Sequence, residues 1–150
     1  MTPMQVHKPQ PRVTPLNEPF WSGCNDGRLM IQRCGACARH VFYPRVCCPY
    51  CHEDRLSWVE ASGRGKVISH TTVYRTHHDG FNADAPYVFA AVSLDEGPCM
   101  YAQLPGAPTA GTSLIGMQVR AVFVEHGPGR KIAAFRLAGD GAGPGGRDAA

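Results

Sequence analysis

Residues 34–51 read C-G-A-C-A-R-H-V-F-Y-P-R-V-C-C-P-Y-C, two Cys-x-x-Cys pairs with ten residues between them. A turn of this kind aims two sulfurs the same way and softens their charge with backbone amides. Two such turns supply the four thiolates that Zn²⁺ takes at the corners of a tetrahedron. The spacing predicts a closed four-cysteine zinc ribbon, with Cys34 and Cys37 in the first turn and Cys48 and Cys51 in the second. Gly35 is expected to relieve the first turn and Pro49 to stiffen the second. Cys47 is a rival for Cys48: it leaves a three-residue gap to Cys51, which zinc tolerates, whereas Cys48 repeats the spacing of the first turn and is preferred. Four sulfurs leave no position for water, so the metal is read as structural, one per chain, and not as a catalytic or redox centre.

The rest of the composition suits a small, strand-rich protein around this site. A chain of 150 residues holds one domain or two small modules, and neither module has room for a large enzyme core. Hydrophobic residues make up 43% and charged residues 18%, so most of the chain folds, while 17 Gly and 13 Pro favour turns and strands over long helices. Seven cysteines suit a disulfide scaffold only in an oxidising compartment. The opening M-T-P-M-Q-V-H-K-P-Q has no apolar run of the kind a signal peptide needs, and a cytoplasmic location with reduced thiols is expected. No segment has the roughly 18 to 20 apolar residues of a membrane span. The formal charge of +3 falls short of the strong basic signature of a dedicated nucleic-acid binder. Five arginines, Arg28, Arg33, Arg39, Arg45 and Arg55, nevertheless gather in or beside the ribbon, opposed locally by Asp26, Glu53 and Asp54. Such a face draws anions when it is not simply solvated.

Four segments follow. Residues 1–16 carry Pro3, Pro9, Pro11 and Pro15 with little apolar content, and are expected to form a flexible arm. Residues 17–62 hold a short helix and the ribbon. Asn17 is placed to cap the helix, Glu18 and Pro19 suit its first turn, Phe20, Trp21 and Cys24 form its apolar face, and Gly27 ends it. Two adjacent large aromatics exceed what so short a helix needs, which makes Phe20 and Trp21 candidates for a partner contact as well as for packing on the ribbon. Strands are expected at 28–33, 41–43 and 56–60. So small a module has little apolar core, and a structural zinc, worth on the order of 10 kcal/mol, is expected to hold it. Residues 63–138 then alternate strand and turn: 67–74, 87–94, 99–104, 118–125 and 131–137, with long loops at 76–86 and 106–116. Five strands with these loop positions fit an OB-type barrel better than a sandwich of about seven. Residues 139–150, G-D-G-A-G-P-G-G-R-D-A-A, read as a disordered low-complexity tail. The predicted class is therefore mainly β: short helix, zinc ribbon, five-stranded OB-type barrel.

Six strings carry a family resemblance from about Pro19 to about Leu137: P-F-W-S-G (19–23), G-R-L-M-I-Q-R-C-G-A-C (27–37), P-R-V-C-C-P-Y-C (44–51), W-V-E-A-S-G-R-G-K-V (58–67), the D-G-F…P-Y loop (79–87) and L-D-E-G (94–97). Together they resemble a bacterial and archaeal family of acyl-CoA-associated OB-fold proteins with a rubredoxin-like zinc ribbon, catalogued as domain of unknown function number thirty-five. Cys47 beside Cys48 departs from its pattern. The resemblance implies a non-catalytic accessory subunit of a hetero-oligomer. Its partner would be a thiolase-superfamily enzyme (thiolase, acyltransferase or aldolase) that carries the nucleophile, with this chain helping to form the acyl-CoA site for carbon–carbon bond cleavage or formation. On that basis the helix and ribbon are expected to dock the partner. Arg33, Arg39 and Arg45 are candidates for CoA phosphates, whose charge suits guanidinium, and the loop through His78 and Phe81 is a candidate for the acyl end.

Cys99 with His77, His78 or His126 has the residue types of a nucleophile and base, but a lone Cys in a strand is far more often a small core residue. His77-His78-Asp79 offers metal-ligand types and reads better as a solvated loop. The competing function is single-stranded nucleic-acid binding. The barrel holds Tyr74, Phe81, Tyr87, Phe89, Tyr101 and Phe123 for stacking, yet its basic residues are sparse and five acidic ones oppose them.

Overall fold

A short helix, the ribbon and a five-stranded sheet share one apolar interior in the computed structural model, which describes residues 6–139. The predicted tail at 139–150 lies outside the described residues from 140 onward, as do residues 1–5 of the arm. Helix α1, Glu18–Asn25, has Pro in its first turn, where a missing amide costs nothing, and buries Phe20, Gly23 and Cys24. Its start differs from the expected side-chain cap. Asn17 Oδ1 accepts instead from the amide of Thr14 (2.7 Å), and the Glu18 amide donates to Thr14 O (2.9 Å), so Asn17 ties down the turn that precedes the helix. Gly23 lets α1 lie directly on the next segment: a Cβ there would stand 2.6 Å from Met30 Cγ and 2.8 Å from Arg28 O.

The ribbon is a three-stranded antiparallel sheet in the order β2-β1-β3, built from β1 (Met30–Cys34), β2 (His40–Val41) and β3 (Leu56–Glu60). β1 begins two residues later than expected because the Arg28 amide is engaged by Gly23 O (2.8 Å) in closing the helix. β2 stops at Val41, after which Phe42 turns onto Phe20 with ring centroids 5.3 Å apart. Ile31, fully buried, faces the main core and not the knuckles, so β1 is shared between the two modules.

The second sheet runs β6-β5-β4-β7-β8, all antiparallel: β4 (Arg64–Val73), β5 (Tyr87–Leu94), β6 (Cys99–Gln103), β7 (Gln118–Gly127) and β8 (Arg130–Leu137). The edge strands β6 and β8 also meet, so the sheet curls into the partly open five-stranded barrel of the OB type. β4 makes the curl. It pairs along its length with β5 but with β7 only through Arg64–Lys66, and a bulge between Val67 and Ser69 bends it between the two. Gly65 lies where this bend brings backbones together: a Cβ would meet Ser93 O at 2.6 Å and Val92 Cγ1 at 2.8 Å. The loop expected at 76–86 contains a single helical turn, α2 (Asp79–Asn82), closed by Gly80 N donating to His78 Nδ1 (3.0 Å) and by Thr76 on Asn82 Oδ1 (2.9 Å from its hydroxyl). The 106–116 loop is anchored by buried Leu114, whose amide donates to His70 Nε2 (3.0 Å), and by Thr72 Oγ1 donating to Thr109 O (2.6 Å). No helix among the described residues is long and apolar enough to cross a membrane.

Candidate functional site

The ribbon has almost no apolar core of its own: Val41 and Leu56 pack around the cysteines and little else does. The Sγ atoms of Cys34, Cys37, Cys48 and Cys51 all lie within 4.8 Å of one another, with Cys34–Cys51 and Cys37–Cys48 each 3.6 Å apart. Four sulfurs about 2.3 Å from a central zinc stand about 3.8 Å apart, so the donor set fits that ion in size, number and softness. The two knuckles repeat one hydrogen-bond scheme. Ala36 N and Tyr50 N point at Cys34 and Cys48 Sγ (3.4 Å each), while Ala38 N and His52 N donate to the carbonyls of the same two cysteines (3.0 and 2.9 Å). The tight backbone therefore falls at Ala38 (φ 64°) and His52 (φ 67°), one residue past the second Cys of each pair, and not at Gly35 or Pro49. Gly35 serves a different purpose, its amide donating to Arg55 O (2.7 Å).

Cys47 is exposed and outside the cluster, because the Cys48 amide, held by Glu53 O (2.8 Å), turns the Cys48 side chain inward and its neighbour out. Donation from the Cys37 amide, partly offset by burial and reinforced by the Ala36 amide, draws the Cys34 thiol down to about 7. The Glu53 amide lowers Cys51, but burial and the three neighbouring thiols outweigh it and push Cys51 up to about 12. Four thiolates packed this closely need a cation to share their charge. The second knuckle is also held by a residue that the spacing rules do not flag. Gln32, 4% exposed on β1, donates from Nε2 to Arg45 O (3.0 Å) and accepts the Arg45 amide at Oε1 (2.7 Å).

The candidate anion ligands Arg33, Arg39 and Arg45 are exposed on the ribbon, with Arg39 over the ring of Tyr50 (4.8 Å). The candidate contacts Phe20, Trp21, His78 and Phe81 come together elsewhere, along a groove of about 830 Å³ between α1, the 42–44 turn, the arm and the outer face of β5 and β6. Phe89 and Tyr101 stack on that outer face (6.4 Å, 15°), with Tyr43 and Tyr87 beside them, and Phe20 meets Trp21 edge-on (4.9 Å). The arm forms one wall. Lys8 Nζ pairs with Asp84 Oδ2 (2.5 Å), Gln10 Nε2 donates to His126 O (2.6 Å), and the Nε2 proton of buried His126 is directed at Pro9 O (2.9 Å). The lining includes no Lys, Arg, Asp or Glu.

Among the described residues, nucleophilic chemistry finds no assembled site. Cys99 starts β6 opposite Ser93 and, among the described residues, has no hydrogen bond to a histidine, while His78 and His126 already hold backbone groups. His77, His78 and Asp79 do not converge their ligand atoms among the described residues. Phe89 and Tyr101 entered the sequence reading only as stacking candidates for nucleic acid, although a signal for an apolar groove existed: both occupy the outward phase of strands whose inward phase is Val88, Ala90, Met100 and Ala102. Large aromatics on that phase are more than a solvated sheet face needs.

Comparison with known proteins bears on this architecture. Residues 21–57 match the ChsH2 rubredoxin-like zinc ribbon domain and residues 58–124 the ChsH2 C-terminal OB-fold domain. A DUF35 domain-containing scaffold protein of Methanocaldococcus jannaschii is 36% identical over 96 residues, 63% of this chain and 67% of that one. A probable enoyl-CoA hydratase alpha subunit of Thermomonospora curvata is 34% identical over 131 residues, 87% of this chain but only 40% of the hydratase subunit's length. Among solved structures, a chain of an Ltp2-ChsH2(DUF35) aldolase superposes with a TM-score of 0.76 at 33% identity, covering 86% of this chain and 99% of that one.

Proposed function

This chain belongs to the ChsH2/DUF35 family of rubredoxin-like zinc ribbons joined to OB folds, and from that premise we propose that it is a non-catalytic subunit of an acyl-CoA enzyme. Its partner is a thiolase-superfamily chain, whose acyl-CoA site for carbon–carbon bond cleavage or formation it helps to form. The observation that carries the proposal is the superposition on nearly the whole of a chain from an aldolase built of Ltp2 and ChsH2. The local chemistry agrees. Four thiolates close a tetrahedral shell, so a zinc held by Cys34, Cys37, Cys48 and Cys51 contributes shape and no open Lewis-acid position. The nucleophile then belongs to the partner. On this chain, the Arg39–Tyr50 stack and the exposed Val46, Arg33 and Arg45 all belong to the ribbon and are residue types that protein interfaces favour, and a bound zinc would hold that ribbon rigid. The arginines also suit the phosphates of a CoA bound at the joint surface.

A nucleic-acid role gains no support from the groove, where stacking aromatics stand without the basic residues a phosphate backbone requires. The test is co-expression with a thiolase-like chain from the same genome, followed by purification through a tag on one chain and assay of acyl-CoA thioester cleavage. A stable hetero-oligomer active only when both chains are present is expected. A partner fully active alone, with no retained complex, refutes the proposal.

A further inference from the structure

We infer that the groove between the arm, α1 and the β5–β6 face takes a bulky, uncharged apolar acyl group, and that it excludes the nucleotide of the same thioester. The inference rests on the acyl-CoA role proposed above and narrows it to a substrate class. Its basis is the composition of the walls. About 830 Å³ is enough for a drug-sized group and far more than an acetyl group fills. The walls are Phe20, Trp21, Phe81, Phe89, Tyr101 and their neighbours, whose polar tips are only hydroxyl, amide and imidazole groups. No cation is among the lining residues to neutralise the phosphates of CoA, and burying such charges without partners is strongly unfavourable. At the Phe81 end, Lys8 is spent on Asp84 and lies over the Phe81 ring. Arg130 lies over the ring of Trp21 but outside the lining, and the candidate phosphate ligands Arg33, Arg39 and Arg45 stand on the ribbon. Phosphates and acyl group are thus assigned to separate surfaces, and the wall formed by residues 8–11 completes the acyl site.

The zinc-loaded full chain is titrated with N-phenyl-1-naphthylamine, an uncharged fluorescent probe. Saturable binding is expected, with displacement by decanoyl-CoA and by methyl decanoate but not by free CoA or acetyl-CoA. Phe89→Asp places a charge on an already half-exposed wall, and deletion of residues 1–11 removes one wall while keeping the Thr14–Asn17 turn. Each is expected to weaken probe binding about tenfold or more, with zinc content and circular dichroism unchanged. Displacement by free CoA as effective as by decanoyl-CoA, or binding unaffected in both variants, overturns the inference. So does absence of saturable probe binding to the unmodified chain, and loss of partner co-purification in Phe89→Asp then identifies the groove as a protein interface. Co-purification of the unmodified chain with the thiolase-like partner is scored separately, so failure of the acyl site and failure of the subunit role give different results.

Discussion

Replacing Gln32 with Met removes both arms of the clamp on Arg45 while keeping a side chain of similar length and volume on β1. The amide contributes two bonds, at 3.0 and 2.7 Å, from a side chain only 4% exposed. Each such bond is worth about 1 kcal/mol net, and a backbone group left buried without a partner costs about 1–3 kcal/mol more. Arg45 is exposed as a residue, so water re-solvates much of its freed backbone, and the apolar Met gains part of the difference through burial. A net loss of about 2 kcal/mol is expected, equivalent to a fall of roughly 4–8 °C in Tm for a chain of this size. The assay is urea unfolding of the zinc-loaded protein at fixed zinc excess, since bound metal shifts apparent stability by mass action. The midpoint is expected to fall without a change in slope, and the cobalt-substituted protein is expected to keep its tetrahedral thiolate spectrum, because no ligand is touched. Gln32→Glu keeps the acceptor for the Arg45 amide but sets a carboxylate oxygen against the Arg45 carbonyl, so it should destabilise at neutral pH by a similar amount. Losses below about 0.5 kcal/mol in both variants would refute the clamp as a determinant of the second knuckle.

Three further outcomes follow from the same structure. Cys48→Ser is expected to lose the bound metal and the order of the ribbon, whereas Cys47→Ser retains one zinc per chain by elemental analysis, because only Cys48 faces the cluster. Gly65→Ala is expected to destabilise by about 1–3 kcal/mol in denaturant melts, since its methyl group meets the backbone of β5 and not a flexible side-chain tip. Burial, only partly offset by the Ala133 backbone and Arg130, raises the Cys24 thiol to about 11. Folding therefore favours the protonated thiol: that contribution is fully present below pH 9 and is lost as pH rises toward 11, so wild type should lose stability more steeply than Cys24→Ala across that window.

Much of the fold was legible because its signals are local. The β5 bounds follow from a run that is apolar but for Ser93 between Pro86 and the Asp95–Gly97 turn, and β3 from alternation around Trp58. The mainly β class, the helix–ribbon–barrel order and the strand number expected from the sequence are all observed. Details that depend on a neighbour were not. Asn17 lost its cap to a competing amide at Thr14, and the strain expected at Gly35 sits on Ala38 and His52. Residues 76–86 hold a helical turn because His78 and Thr76 close it from outside the turn itself.

The site divides the same way. Cys-x-x-Cys spacing is a constraint of a few bonds and names the four thiols that converge, although Gln32 on β1 and the Glu53 carbonyl help to hold the second knuckle. The groove has no such spacing: Pro9, Trp21, Tyr43, Phe81, Phe89 and His126 meet only because α1 lies on β8, the arm crosses β7, and β4 bends at its bulge. By itself the sequence determined the metal shell, the strand-rich class and the family, all written in short-range patterns. Tertiary structure alone decided that Arg33, Arg39 and Arg45 stand on the ribbon, outside the lining of the aromatic groove, because which residues share a wall depends on contacts between segments far apart in the chain.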